Sequence, residues 1–174
     1  MTKGWTQDSL RHAMSAKGLK SGKRGRGQRQ KKAEEVQIFS EEPSLHTIHA
    51  GEKIIVIEMS PDDYLYGVGL MQLVPCMESA KPKQLKKLYK IKKKEDYINW
   101  QKEFIYEGSL KVLRKLLKKG EKLGMPFLDY ISDGQEGRNR AFLAKQMGMK
   151  KIPVTIVYKG EPPCFVRTYR VINA

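Results

Sequence analysis

The sequence has few cysteines and no long apolar segment, and each absence excludes a class of protein. Two cysteines in 174 residues do not build a disulfide scaffold, and nothing in the composition indicates an oxidising compartment. The longest uninterrupted aliphatic run is four residues, 54–57, so no transmembrane helix is predicted. Because the N-terminal residues lack the apolar core of a signal peptide, we expect a cytoplasmic protein with no membrane partner.

Acidic residues are also scarce relative to basic ones. The chain has 34 lysines and arginines against 19 aspartates and glutamates, a net charge of +15. An excess of this size indicates a polyanionic partner, such as nucleic acid, nucleotide phosphates or acidic lipid headgroups. A chain of this length can build a core without disulfides or a metal. We therefore predict one folded domain, residues 41–174, preceded by a basic arm, residues 1–40.

The basic arm contains the densest positive charge. Residues 20–32 include seven lysines and arginines, no acidic residue and no apolar side chain. Such a segment cannot bury a face, so it is predicted to be disordered or flexible. It is either a solvated tail or an arm that binds nucleic acid, and a nuclear-targeting signal is a third interpretation. The residues that would contact DNA are Lys20, Lys23, Arg24, Arg26, Arg29, Lys31 and Lys32.

A second basic segment covers residues 81–94, with eight lysines and no acidic residue. Leu85, Leu88 and Tyr89 stand at helical spacing, which predicts a helix whose apolar stripe faces the domain. The lysines of the opposite face are either solvated or in contact with a phosphate backbone, for which lysine is better suited than for base readout. The predicted contact residues are Lys86, Lys87 and Lys90.

Hydrophobic spacing and capping residues predict alternating strands and helices. A strand is predicted at 52–59, followed by a helix that begins at Ser60 and Pro61 and that Gly67 and Gly69 would shorten or break. Ser109 is expected to cap a later helix. Further strands are predicted at 125–131, 152–158 and 165–171, and a helix at 141–147 that ends at Gly148.

The most distinctive segment is DGQEGRNR, residues 133–140, between a predicted strand and a predicted helix. Gly134 and Gly137 let the backbone approach a ligand or adopt positive φ. The helix N-terminus offers unpaired N–H groups and partial positive charge, which suit an anion. Arg138 and Arg140 in the first turn oppose the helix dipole, at about 0.3–1 kcal/mol each if exposed. A bound phosphate would convert this repulsion into attraction.

Two carboxylates of this segment have three possible roles. Asp133 and Glu136 are candidates to hold Mg²⁺ carried by a nucleotide, to act as a general base, or to pair with the arginines. In the last case the segment is a structural network at a helix start. The sequence contains no Walker loop and no Rossmann fingerprint. An H-x-x-H pair, His46 and His49, and two separate cysteines do not predict a zinc site, so no protein metal site is expected.

The string DGQEGRNRAFLAKQMGMKKIPVTIV resembles the signature of the ParB/sulfiredoxin superfamily. ParB-like nuclease domains typically read D-G-x-x-R-x-R-A or E-G-R-H-R-A here, followed by a helix and by IPV on a strand. Asn139 stands where many relatives have His, and the loop lacks the cysteine that sulfiredoxins use. VIEMSPDDYL, residues 56–65, also looks like the opening element of such domains in phage and mobile-element proteins. The matching residues are Glu136, Gly137, Arg138, Arg140, Ala141, Gly148, Ile152, Pro153 and Val154.

This resemblance spans roughly residues 48–160 and implies a compact α/β (α+β) domain with a small mixed sheet flanked by helices. It implies that the Arg-rich loop binds the phosphates of a nucleoside triphosphate with Mg²⁺. The phosphate-binding candidates are Gly134, Gly137, Arg138, Asn139 and Arg140. The catalytic candidates are Glu136, Glu58 and Asp133.

Three functions remain open from the sequence. The first is a ParB-like protein that binds nucleotide and DNA, with NTPase or nuclease activity if it is an enzyme. The second is a phosphotransferase of small substrates, similar to free-serine kinases, in which Glu58 or Asp62 would face the γ-phosphate. The third is a nucleic-acid-binding protein with an inactive loop. The identity of the nucleotide, catalytic activity and oligomeric state are not determined by the sequence.

Overall fold

The computed structural model describes residues 37–42 and 50–173, which contain a five-stranded mixed sheet of order β3-β2-β4-β1-β5. Strands β2 and β4 run parallel, and the pairs β1–β4, β1–β5 and β2–β3 are antiparallel. The α/β class with a mixed sheet is thereby confirmed. The strands are β1 (Glu52–Met59), β2 (Phe127–Asp129), β3 (Gly134–Glu136), β4 (Ile152–Lys159) and β5 (Arg170–Asn173).

Five helices and a short 3₁₀ turn at Val166–Thr168 complete the described part of the chain. Helix α1 packs on α3 and α5, and α4 packs on α5. None of these helices combines the length and apolar character that a membrane span requires. The helices are α1 (Pro61–Ser79), α2 (Pro82–Leu88), α3 (Lys94–Lys102), α4 (Glu107–Lys118) and α5 (Arg138–Gln146).

The core lies between the helices and one face of the sheet. Ile57 and Met59 of β1 share this face with Val154 and Ile152, their partners on β4, because paired residues of antiparallel strands point to the same side. Tyr64 of α1 is completely buried against them. The core also includes Ile38 and Phe39, which lie on the N-terminal side of the domain boundary predicted at residue 40.

Helix α1 begins as predicted but is longer than predicted. The Ser60 hydroxyl accepts a hydrogen bond from the Asp63 N–H at 3.0 Å, which caps the helix. The helix then continues through Gly67, Gly69 and Pro75 to Ser79. The expectation that the glycines break it is wrong, because they permit close packing. A Cβ at Gly67 would lie 2.7 Å from Cε1 of Phe165.

The lysine-rich segment is helical only in its first half. Helix α2 ends at Leu88, which is buried, whereas Tyr89 is 63% exposed. The prediction that Tyr89 faces the domain is therefore wrong. A turn at residues 89–90 follows, and α3 begins at Lys94.

Two other boundaries differ from the prediction. Helix α4 begins at Glu107, with Tyr106 rather than Ser109 at its N-cap. The last predicted strand, 165–171, starts instead as the 3₁₀ turn, and strand β5 begins only at Arg170. In contrast, α5 ends beside Gly148 as predicted, where φ is +80°.

Candidate functional site

The first turns of α4 and α5 open onto one cavity of about 550 Å³. The backbone N–H of Tyr106, at the start of α4, donates a hydrogen bond to Asn139 Oδ1 of α5 at 3.0 Å, which joins the two helix starts. The volume lies within the range of small-molecule sites. The lining residues are Tyr106, Gly108, Ser109, Val112, Leu113, Glu136, Gly137, Arg138, Asn139 and Arg140.

The turn from β3 into α5 requires glycine at position 137. Gly137 has φ +125° and stands at the N-cap of α5, a conformation that residues with a Cβ rarely adopt. A Cβ at this position would also lie 2.6 Å from the Cβ of Pro126. The backbone of the turn therefore runs directly against the residue that precedes β2.

Tyr64 supports the same turn from inside the core. Its phenol O–H donates to the carbonyl oxygen of Glu136 at 2.8 Å, and the carbonyl oxygen of Phe127 lies 3.3 Å away. Complete burial raises the pKa of Tyr64, with smaller opposing effects of Arg140 and Arg138. Since the neutral phenol is favoured, the hydrogen bond that fixes the turn is maintained at neutral pH.

The side chain of Arg140 is held by protein groups on both sides. Its Nη2 donates to Glu136 Oε1 at 2.7 Å, and its Nη1 donates to the carbonyl oxygen of Gly124 at 2.9 Å. The Arg140 side chain is 13% exposed, whereas that of Glu136 is 67% exposed. Arg140 therefore joins the start of α5 to the segment before β2, and Glu136 remains accessible from the cavity.

Arg138 is less completely bonded than Arg140. Its Nη2 donates to Gln72 Oε1 of α1 at 2.6 Å, and its Cζ lies 4.9 Å from the ring centre of Phe104. Its Nε is buried and has no hydrogen-bond partner among the described residues. Burial lowers the pKa of Arg138, but an arginine remains protonated in proteins. Arg138 thus presents a partly desolvated positive charge at the cavity wall.

The structure separates the predicted carboxylates. Glu136 ends β3, whereas Asp133 lies in the turn before this strand, roughly 10 Å away along the chain, and Gly134 begins it, roughly 7 Å away. Glu58 lies on β1, three strands from β3 and thus about 14 Å away, and its Oε2 is 3.4 Å from Lys151 Nζ. Of the predicted carboxylates, Glu136 is the one that lines the cavity.

The segment 103–106 connects the lysine-rich helix α2 to the cavity. Glu103 forms an ion pair with Lys87 at 2.6 Å, and the next residue, Phe104, contacts Arg138. Lys86 and Lys90 are exposed beside Lys87. The predicted contact residues of the arm, 20–32, lie outside the described residues, as do His46 and His49.

The described residues offer limited metal-binding capacity. Within 37–42 and 50–173, no group of three or more His, Cys, Asp or Glu side chains comes together. A Mg²⁺ ion in the cavity would therefore be held by Glu136 and by phosphate oxygens, which is a common arrangement for Mg²⁺ bound with a nucleotide.

Sequence reasoning missed the contribution of α4 to the site. Tyr106, Gly108 and Ser109 are far from the Arg-rich turn along the chain, and only the packing of α4 on α5 brings them to it. Gln72 and Tyr64 were also missed, because nothing local in α1 indicates that their side chains reach the turn.

No protein-family model, curated protein or solved structure matches the chain. The resemblance to the ParB/sulfiredoxin superfamily therefore rests on the sequence motif alone. The geometry of the cavity must support any function that is proposed for it.

Proposed function

We propose that the chain binds the phosphates of a nucleoside triphosphate in the cavity between α4 and α5. The observation that supports this proposal best is the meeting of two helix N-termini at a cavity lined by Arg138 and Arg140. Each N-terminus contributes partial positive charge and unpaired N–H groups, and Arg138 adds a full positive charge, whereas that of Arg140 is paired with Glu136. Such a cavity favours a multiply charged anion over a neutral ligand.

The two arginines have different roles in this proposal. Arg138 binds phosphate, because it lines the cavity, its positive charge is partly desolvated, and its hydrogen bond to Gln72 uses only Nη2. Arg140 holds the turn in shape through Gly124 and Glu136. Glu136 would hold Mg²⁺ together with phosphate oxygens, and the ion, when bound, neutralises phosphate charge.

The second part of the proposal is that the lysines of α2 and of the turn that follows it contact the backbone of DNA. Lys86, Lys87 and Lys90 are exposed, and α2 is connected to the cavity through Glu103 and Phe104. Lysine contacts to phosphate are independent of base sequence, so we expect non-specific binding that weakens with salt.

Calorimetric titration with ATP, CTP and GTP in the presence of Mg²⁺ tests the nucleotide site. Arg138→Ala removes a charge-assisted contact of about 1.5–3 kcal/mol, so nucleotide affinity is expected to fall at least tenfold. Arg167→Ala is the matched control, because Arg167 pairs with Glu161 and is not among the residues that line the cavity. Unchanged nucleotide affinity in Arg138→Ala would contradict the assignment of the cavity.

A nucleic-acid-binding protein with a structural arginine turn is the second candidate. It is favoured by a specific observation, namely that both guanidinium groups already have partners within the protein. In that case the wild-type protein binds DNA with the same affinity whether or not nucleotide is present, and calorimetry detects no nucleotide binding. The phosphotransferase alternative has less support, because Glu58 and Asp62 are paired with Lys151 and Lys145 and neither is among the lining residues.

A further inference from the structure

The cavity has a charged side and an apolar side. Arg138, Arg140 and Glu136 form the charged side, at the start of α5. Tyr106, with Val112 and Leu113 behind it on α4, forms the apolar side. A polyphosphate alone would leave the apolar side in contact with water, whereas a ligand with an anionic end and a flat apolar end would use both.

Tyr106 is placed by its neighbours although it is 69% exposed. A Cβ at Gly108 would lie 2.7 Å from Cζ and 3.0 Å from Oη of the Tyr106 ring. The ring thus occupies space over the first turn of α4 that is open only because residue 108 has no side chain. The Tyr106 backbone N–H is bonded to Asn139, so the backbone that carries the ring is fixed relative to the Arg-rich turn.

We infer that Tyr106 is a base-stacking residue, and that the ligand of the cavity is a nucleotide whose aromatic base lies on this ring while its phosphates face Arg138. The inference rests on the proposed function and goes further, because it distinguishes a nucleotide from other phosphate compounds. Aromatic side chains stack on any of the bases, since each base presents a flat π-face. Tyr106 therefore contributes affinity for a base without selecting one base over another.

The experiment compares the Mg²⁺ complexes of ATP and of tripolyphosphate by calorimetry. Tripolyphosphate has the three linked phosphates of the nucleotide, with up to one more negative charge, but no ribose and no base. Wild-type protein is expected to bind ATP more tightly than tripolyphosphate. Tyr106→Leu should weaken ATP binding by roughly 5- to 150-fold, the range for loss of one base–aromatic stack, and change tripolyphosphate binding by less than about twofold. Tyr106→Phe keeps the ring and should keep the preference for ATP.

Gly108→Ala provides an independent test that leaves Tyr106 in place. The added methyl group must displace the exposed ring, and the fold tolerates this because the ring is on the surface. We expect weaker ATP binding and unchanged thermal stability. In the Tyr106→Leu background, Gly108→Ala should cause no further loss of ATP affinity, since both changes remove the same contact.

Three outcomes would overturn the inference, and they differ from one another. If neither ATP nor tripolyphosphate binds, the proposed function fails and the inference fails with it. If both bind equally and Tyr106→Leu changes neither affinity, the phosphate site stands but the stacking role is wrong. If Tyr106→Leu weakens binding of a single-stranded dT10 oligonucleotide and leaves ATP affinity unchanged, the ring belongs to a nucleic-acid surface instead.

Discussion

Replacing Arg140 by alanine tests whether the Arg-rich turn is held together before any ligand binds. The substitution removes two interactions and one repulsion. The hydrogen bond from a charged group to the Gly124 carbonyl is worth about 1.5–3 kcal/mol. The ion pair with the exposed Glu136 contributes at most about 1 kcal/mol, and removal of a cation from the first turn of α5 returns about 0.3–1 kcal/mol. The last two contributions nearly cancel, so the apo protein should lose about 2 kcal/mol.

Thermal melting and urea denaturation of the apo protein measure this loss. For a domain of this size, 2 kcal/mol corresponds to a decrease in melting temperature of roughly 4–8 °C. Glu136→Gln removes only the ion pair and is the matched control, with an expected loss below about 1 kcal/mol. Arg140→Lys keeps the charge but not the two-sided geometry, so its loss should lie between those of Arg140→Ala and Glu136→Gln.

A melting temperature for Arg140→Ala within about 1 °C of wild type would refute this reasoning. The contact with Gly124 would then contribute no net stability, and Arg140 would be available to a ligand in the same way as Arg138. A loss as large in Glu136→Gln as in Arg140→Ala would instead place the stabilisation in the ion pair.

Three further predictions concern the fold and the nucleic-acid surface. Gly67→Ala should destabilise the protein by about 1–3 kcal/mol in urea denaturation, because the added methyl group meets Phe165. This loss is expected despite the better helix propensity of alanine. An unchanged denaturation midpoint would contradict the close packing. Burial raises the pKa of Tyr64 above its unfolded value of about 10, so its contribution to stability is complete below about pH 10 and is lost progressively as the pH rises from there toward the raised pKa. Tyr64→Phe should flatten the alkaline decline in melting temperature only in part, since two other tyrosines also have raised pKa values. Replacing Lys86 and Lys90 by glutamine should lower the slope of log K for DNA binding against log[salt] by roughly 0.9 per lost contact, without changing the melting temperature. An unchanged slope would exclude this lysine-rich segment as a DNA surface.

Local sequence signals correctly predicted the elements whose structure depends on residues close together in the chain. The β-branched run 52–59 forms β1. Ser60 caps α1 by accepting a hydrogen bond from an N–H group in the first turn of that same helix. Gly148 follows the C-cap of α5 and has positive φ, which is the usual conformation of a glycine that terminates a helix. The order of strand, glycine-containing loop and helix around residues 133–140 was also predicted, but strand β3 within that loop and the start of α5 at Arg138 were not.

Where the local sequence signals predicted the structure wrongly, contacts between distant parts of the chain determined the outcome. Gly67 and Gly69 have poor helix propensity, yet α1 continues through them because their lack of side chains allows Phe165 and Tyr97 to pack closely. Tyr89 fits a helical stripe by spacing and keeps helical φ and ψ at the C-cap of α2, yet its side chain is exposed, so spacing alone did not identify the residues that the domain covers. Propensity differences of about 1 kcal/mol per residue are smaller than the packing energies that oppose them.

The sequence by itself determined the charge excess and the placing of the two arginines in a glycine-containing segment at the start of a helix, since these depend on composition and on adjacent residues. Only the tertiary structure decided which groups meet at that turn. Strand order places Glu58 three strands away and Asp133 at the opposite end of β3, and the packing of α4 on α5 adds Tyr106 to the cavity. The reason is physical: residues distant in the chain are brought together by burial of apolar surface, which is non-directional and leaves no local pattern from which the partners can be predicted.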